Sequence, residues 1–236
     1  QHATVTLLND VYLAHFSSDK EEANYTTTMG ALTSTSTTCS VGTGTYNVGY
    51  LDTDFSFAGI LGNRAVLNKY GEGTMTLTGS SNTCPVNIYG GAIEAANTAK
   101  AYTTGLTTVK SGGKLYGKGI ASNVTVEKEG IVAATKTGLP TARLKVNGNL
   151  TVNREGVVQV RARKSTSKVS NDGFEVSGTA KFTSPVFEIT LTNDAAWAAG
   201  DSIQVVKTEG RIILTGTPTF IPEIPGEGLL WNDSTF

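Results

Sequence analysis

The sequence has little of what catalysis, metal binding or nucleic-acid binding usually requires. Its two histidines, His2 and His15, both lie in the opening segment, so a histidine-based triad or zinc site would have to be built there. The net charge is −1 and the charges are scattered, which excludes the basic stripe of a nucleic-acid-binding protein. No apolar run is long enough for a membrane helix, and we expect none.

Cysteine is equally scarce. Cys39 and Cys84 are 45 residues apart, and neither belongs to a Cys-x-x-Cys or Cys/His metal pattern. In an oxidising compartment they permit one disulfide. If they lie on strands two levels apart in a stack, about 9.6 Å separates them, which is beyond the usual reach of a disulfide. A bond would need an irregular N-terminal rung, and the alternative is two buried free thiols.

What the chain has in quantity is glycine (27 residues), together with threonine and valine. This composition is typical of an all-β chain with many tight turns. One phrase occurs three times: Thr-Val, three mostly polar residues, a glycine and, two places later, an apolar residue. The three copies are residues 108–115, 125–132 and 151–158. Each copy predicts a strand, a glycine corner and a second strand.

Looser copies around Gly91 and Gly178 extend the series, with a period of about 22 residues. A unit of this length cannot bury its apolar face alone, so the repetition predicts a β-solenoid in which neighbouring units stack. Within the stack, period-two alternation places one face of each strand in the core. The residues predicted to be buried in this way are Met75, Leu77, Val86 and Ile88.

The stretch from 44 to 93 also resembles a known family, the autotransporter-associated β-strand repeat. Residues 57–60 (Phe-Ala-Gly-Ile), 67–79 (Leu-Asn-Lys-Tyr-Gly-Glu-Gly-Thr-Met-Thr-Leu-Thr-Gly) and 82–83 (Asn-Thr) follow its wording closely. Cys84-Pro85 departs from it, where the family commonly has Tyr-Thr. The resemblance implies a right-handed parallel β-helix and a secreted or surface protein of a Gram-negative bacterium, with Bacteroidetes among the sources.

The tail from residue 171 has a different sequence pattern. Residues 198–206 (Ala-Ala-Gly-Asp-Ser-Ile-Gln-Val-Val) and 222–234 (Pro-Glu-Ile-Pro-Gly-Glu-Gly-Leu-Leu-Trp-Asn-Asp-Ser) resemble the segment that closes many passenger domains of this family. We therefore divide the chain into β-helix rungs over 1–170 and a closing segment over 171–236. The sequence stops at Phe236, before the final strand of the family's pattern, so the piece is a fragment or another segment supplies that strand. Because the sequence also opens at Gln1 directly on a strand-like phrase, we expect a mature or excised piece of a larger protein. Uncovered strand edges at either end predict self-association, because their unpaired N–H and C=O groups can bind another chain.

Four residues are candidates for binding a glycan. Tyr46 and Tyr50 are predicted to face outward, whereas Phe55 and Phe57 share one face of a strand and are predicted to be buried. Arg161 and Arg163 belong to a basic cluster that could bind an acidic glycan, although a solvated loop between rungs explains the same pattern.

Parallel β-helices include polysaccharide lyases, which use an acidic calcium cluster and a basic catalytic residue. Asp52 and Asp54 are the nearest approach to such a cluster, with Arg161 or Arg163 as the base. Two alternating carboxylates fall short of the six to eight oxygen ligands that calcium takes. We therefore expect no enzyme, no metal site and no cofactor.

The sequence as a whole predicts an all-β chain, folded as a single-stranded, right-handed parallel β-helix of about ten rungs. Its expected role is structural: the stalk or passenger segment of a secreted or cell-surface protein, with adhesion to glycans or to a host surface as an additional expectation. Its main expected partner is the rest of that larger protein. A carbohydrate-binding module on a β-helix is the alternative, and a polysaccharide lyase is the third reading.

Overall fold

The computed structural model describes residues 2–14, 25–80, 83–138, 140–166, 168–193 and 195–232, and these form strands and turns without a helix. His15 and the segment 233–236 lie outside the described residues, as does Asn82 of the repeat phrase. The described part also contains no helix that is long and apolar enough to cross a membrane. The predicted all-β class is confirmed.

The described residues form twenty-seven strands, β1–β27, and all of them except β21 (Val169–Asn171) are arranged on three faces. The first face contains β1 (Thr4–Thr6), β4 (Ala31–Thr33), β7 (Phe55–Phe57), β10 (Thr74–Leu77), β12 (Gly91–Ala95), β14 (Gly113–Gly117), β17 (Ile131–Ala133), β20 (Val157–Lys164), β24 (Val186–Asn193) and β27 (Thr219–Ile221). The second contains β3 (Thr26–Thr28), β6 (Gly44–Val48), β9 (Ala65–Lys69), β11 (Val86–Ile88), β13 (Thr107–Val109), β16 (Val124–Val126), β19 (Leu150–Val152), β23 (Ala180–Thr183) and β26 (Ile212–Thr215). The third contains β2 (Tyr12–Leu13), β5 (Ser40–Val41), β8 (Ile60–Leu61), β15 (Ile120–Ala121), β18 (Arg143–Val146), β22 (Gly173–Val176) and β25 (Val206–Thr208).

On the first two faces the neighbouring strands are parallel and follow one another by one turn of the chain. The third face consists of two separate parallel sheets, β2-β5-β8 and β15-β18-β22-β25. On the first face a bridge between Ser34 and Phe57 joins the β1–β4 pair to the sheet that runs from β7 to β27. Ten strands are thus stacked there. The predicted parallel β-helix of about ten rungs is confirmed, and the only antiparallel partner in the described sheets is β21 (Val169–Asn171), which forms a hairpin with β20.

The core lies inside the three faces and is built from columns of apolar residues in register. Val109, Val126 and Val152 occupy one such column on β13, β16 and β19, and all three are fully buried. These are the valines of the threefold phrase, so its repetition reflects stacked core positions. The four residues predicted from alternation, Met75, Leu77, Val86 and Ile88, are buried as well.

Glycine is required at the corners because successive rungs approach each other closely there. At Gly113, the glycine of the first phrase, a Cβ atom would lie 2.2 Å from the Ile88 carbonyl oxygen of the preceding rung. Any larger residue would push the two rungs apart. The threefold phrase therefore specifies both the core column and the corner beside it.

The tail continues the same stack. β22, β23 and β24 pair in parallel with β18, β19 and β20, and β25, β26 and β27 add one further level on each face. The change of wording near residue 171 therefore coincides with no break in the sheets.

Candidate functional site

Three tyrosines form a stack along one corner of the solenoid. Tyr50, Tyr70 and Tyr89 follow β6, β9 and β11, and their ring centroids are 5.1 and 4.8 Å apart. His2 extends the stack beyond Tyr50, at 4.8 Å. The ring spacing is close to the strand spacing, so stacking of rungs also stacks the rings. Tyr50 lies at the surface, where the sequence placed it, and its contact with a glycan stays a prediction.

An asparagine column runs beside this stack on the outer side of the second face. The Asn68 side-chain amide donates to Asn47 Oδ1, and the Asn87 amide donates to Asn68 Oδ1, each at 2.9 Å. We call the three asparagines and the three tyrosines the tyrosine–asparagine face. Sequence reasoning missed Tyr70, Tyr89 and the asparagines. The available signal was the recurrence of Asn-x-Tyr at 68–70 and 87–89.

On the tyrosine–asparagine face, ring faces and side-chain amides interact mainly with one another. The ring faces of Tyr70 are turned towards Tyr50 and Tyr89, so the ring edges, not the faces, are directed to solvent. Sugars stack on aromatic ring faces, and here those faces already have protein partners. The tyrosine–asparagine face therefore stabilises the packing of consecutive rungs against one another.

Tyr46 is a correction to the sequence analysis, which placed it on the surface. It is fully buried, in the inward column of β6 that also contains Leu67 and Val86. Its hydroxyl donates to the carbonyl oxygens of Leu13 and Thr43, at 3.1 and 3.2 Å, so the burial leaves no polar group unpaired. Burial raises the pKa of the Tyr46 phenol to about 12. Tyr46 cannot contact a glycan.

Lys69 is a charged residue in a core column, between Val48 and Ile88. It is fully buried, and its Nζ donates to the carbonyl oxygens of Tyr70, Gly71 and Gly90 at 2.5, 3.0 and 3.3 Å. The ammonium group thus binds carbonyl groups at the corner beneath the tyrosine stack. Burial lowers the pKa of Lys69 to about 8, although the nearby carboxylates, Asp52 foremost, act in the opposite direction.

The lowered pKa of Lys69 predicts a pH-dependent stability. Between pH 8 and the ordinary lysine pKa of 10.5, the unfolded chain binds this proton and the folded chain does not. The free energy of unfolding should therefore rise with pH across this window, by about 2 to 3 kcal/mol in total relative to a Lys69→Met variant. Denaturant unfolding of both proteins at pH 7.5, 9 and 10 measures it. The same pH slope in both proteins would contradict the prediction, and the comparison cancels the titration of tyrosines.

The guanidinium group of Arg161 is held by three groups of the protein, and its contact with a glycan stays a prediction. Nε donates to Asp172 Oδ2 at 2.8 Å, and the two terminal nitrogens donate to the carbonyl oxygens of Gly138 and Thr137. The Asp172 side chain is almost fully buried and also accepts the backbone N–H of Ala142. Burial raises the pKa of the Asp172 carboxyl, while the Arg161 guanidinium lowers it. Arg161 thus compensates a buried charge and joins β20 to the preceding loop.

Arg163 lies two residues further along β20, half-buried and in register with Ser170 of the β21 hairpin and Thr192 of β24. The solvated loop that the sequence offered as an explanation for the basic cluster is a strand here. The proposed contact of Arg163 with a glycan stays a prediction.

Asp52 and Asp54 bind the next rung rather than each other. Asp52 Oδ1 accepts the backbone N–H of Glu72 at 2.9 Å, and Asp54 Oδ1 accepts that of Thr74 at 2.7 Å. Both contacts span 20 residues, which is one turn of the helix. Nowhere in the described ranges do three or more potential ligand side chains gather for a metal ion.

The two cysteines are free thiols, so the disulfide that the sequence permitted is not formed. Both are fully buried, and the Cys39 thiol donates to Ser34 Oγ at 3.1 Å. Burial raises the pKa of the Cys84 thiol to about 12. The alternative of two buried thiols packed as small apolar residues describes them correctly.

The third face carries a groove that runs along the stack. Three adjoining hollows share lining residues: the first two share Ile120 and Asn147, and the second and third share Ile60. We call the whole feature the axial groove. The charged residues that line it are Arg64, Lys100, Lys145, Glu175, Lys207 and Glu209. Nothing in the sequence indicated this groove. A groove forms only where outward-facing residues of successive rungs line up, and that alignment depends on the register between rungs.

No known protein-family model matches the chain, and no curated protein is significantly similar to it. The resemblance to the autotransporter-associated repeat therefore rests on the quoted phrases alone.

Proposed function

We propose that this chain is a structural stalk, the passenger segment of a larger secreted or cell-surface protein of the autotransporter-like type. The observation that carries the proposal is that polar side chains form hydrogen bonds from one rung to the next. Asp52 and Asp54 each bind a backbone N–H one turn ahead, and the asparagines bind one another along the stack. A rod whose polar groups join its own levels is suited to bearing load or spanning distance.

The same observation supports a non-enzymatic role. The two aspartates that a lyase would need for calcium are engaged by backbone groups, and Arg161, the candidate base, is bound to Asp172. Its expected partners are the remainder of the larger protein and, through the strand edges, further copies of the chain.

Antibodies raised against the purified chain test the proposed location. On intact cells of the bacterium that produces the protein, we expect surface labelling that brief external proteolysis removes. An antibody against a cytoplasmic protein is the control for cell integrity. Labelling that appears only after the cells are permeabilised would contradict a surface stalk.

A further inference from the structure

The axial groove has the dimensions of a site for an extended polymer. Along it, Ala101 is bridged to Ile120, Ile120 is paired with Lys145, and Glu175 and Lys207 follow on the next two strands. These are successive levels of the stack, each about 4.8 Å from the last. The groove also reaches the earlier levels of Ile60 and Ser40. A ligand that follows it would contact many rungs at once.

Three lysines are distributed along the groove. Lys145 and Lys207 share one register column and are two levels, or about 9.6 Å, apart along the axis, with Glu175 between them. Lys100 precedes Ala101, which lies two levels before Lys145. All three are exposed, and within the described part of the chain no carboxylate is close enough to form an ion pair with any of them. Exposed cations without ion-pair partners suit an anionic ligand.

The groove is more basic than the chain as a whole. Its charged lining consists of four cations and two carboxylates, whereas the full sequence has a net charge of −1. Of the two carboxylates, Glu175 lies between Lys145 and Lys207 in the same register column, and Glu209 follows Lys207 by two residues. A polymer with widely spaced negative charges matches this pattern better than one with a charge on every unit, which would meet both carboxylates.

The remaining lining favours a sugar polymer over a peptide. Ile60 and Ile120 provide an apolar floor, and hydroxyl and amide groups stand beside it, including those of Thr104, Asn147 and Ser177. Such groups can exchange hydrogen bonds with sugar hydroxyls. An extended peptide usually binds by adding a strand to a sheet edge, but β18 and β22, which line the C-terminal part of the groove, are already paired on both sides.

We propose that the axial groove binds a linear acidic polysaccharide, with Lys100, Lys145 and Lys207 contacting carboxylate or sulfate groups that recur along the chain about once per disaccharide. Two strand spacings are of the order of the length of a disaccharide in an extended glycan. The spacing of the lysines along the groove can therefore match the spacing of the acidic groups along the polymer. This inference goes beyond the stalk, because the stalk proposal requires no ligand.

Calorimetric titration of the whole chain with polygalacturonate, and with a heparin-type sulfated glycan, tests the proposal. Fully methyl-esterified polygalacturonate is the uncharged control, and poly-glutamate is the peptide control. We expect one of the two acidic glycans to bind, with an affinity that falls as salt is added because the contacts are exposed ion pairs. The carboxylate and the sulfate arms identify which anionic group is recognised.

A triple variant with Lys100, Lys145 and Lys207 replaced by Gln should weaken this binding by about tenfold, since each exposed ionic contact contributes modestly. The matched control replaces three exposed cations outside the groove, Lys128, Lys181 and Arg211, by Gln and should change the affinity less than about twofold. Unchanged melting temperatures show that both variants fold.

Three results would overturn the proposal. They are failure of both acidic glycans to bind the wild-type chain, equal weakening by the two triple variants, and equally tight binding of poly-glutamate. None of them bears on the surface labelling that tests the stalk, so the two proposals can fail separately.

Discussion

Replacing Val126 by Asp should unfold the chain at room temperature. Val126 is fully buried in the column between Val109 and Val152, and a carboxylate there would have neither water nor a charge partner. The cost of such a group, at least about 4 kcal/mol, is a large part of the 5 to 15 kcal/mol that stabilises most domains. Far-UV circular dichroism and thermal melting measure the outcome.

Thr125→Asp is the matched control for this variant. Thr125 is the neighbouring residue on β16 and lies on the outer side of the same strand, in register with Thr108 and Thr151. A carboxylate at this position stays in contact with water, so we expect a change of no more than about 1 kcal/mol. Similar melting temperatures for the two variants would show that burial in this column is not what holds the rungs together.

Replacing Arg161 by Leu should lower the free energy of unfolding by about 2 to 4 kcal/mol at pH 7. The substitution removes the guanidinium group that compensates the buried Asp172 carboxylate at 2.8 Å, and it also removes the contacts with Gly138 and Thr137. Arg161 itself is partly exposed, which keeps the expected loss below that of a fully buried pair. Denaturant unfolding measures the difference.

The pH dependence of this loss identifies its cause. The pKa of Asp172 is already raised by burial, and without Arg161 it should rise further. A folded carboxyl with a raised pKa binds its proton more readily than the unfolded one, so stability falls as pH rises through that window. The destabilisation by Arg161→Leu should therefore be larger at pH 7 than at pH 4.

A second variant controls for loss of packing. In Arg161→Leu/Asp172→Asn the uncompensated charge is absent, so part of the lost stability should return at pH 7 and the pH dependence should disappear. If Arg161→Leu instead retains wild-type stability and loses affinity for an acidic glycan, Arg161 is a ligand-binding residue, as the sequence first suggested.

The fold could be predicted from the sequence because every repeat of a solenoid must meet the same physical requirements. Each copy of the threefold phrase must supply an inward valine and a glycine where two rungs approach, as Val109 and Gly113 do. One copy alone would be ambiguous between many β folds. Repetition at a period of about 22 residues leaves stacking as the arrangement that buries every copy.

The site could be read only in part, because outward positions are not constrained by burial. The prediction that Tyr46 faces outward was wrong. Tyr46 lies two residues before Val48 on β6, so both side chains are on the inward side of the strand, and this alternation was the available signal for its burial. Tyr50 was placed correctly at the surface, but its partners Tyr70 and Tyr89 were not seen. An aromatic stack depends on which residues of different rungs lie at the same corner. Because the repeat length varies between rungs, the sequence alone does not show which positions are equivalent.

The sequence by itself determined the all-β class, the stacking of parallel strands and the identity of the core columns, because apolar alternation and corner glycines are local requirements. Only the tertiary structure decided which polar groups meet. Arg161 reaches Asp172 and Gly138, the two cysteines stay apart, and three lysines align along one groove. Each of these depends on the register between rungs, which is set by the lengths of the connecting turns.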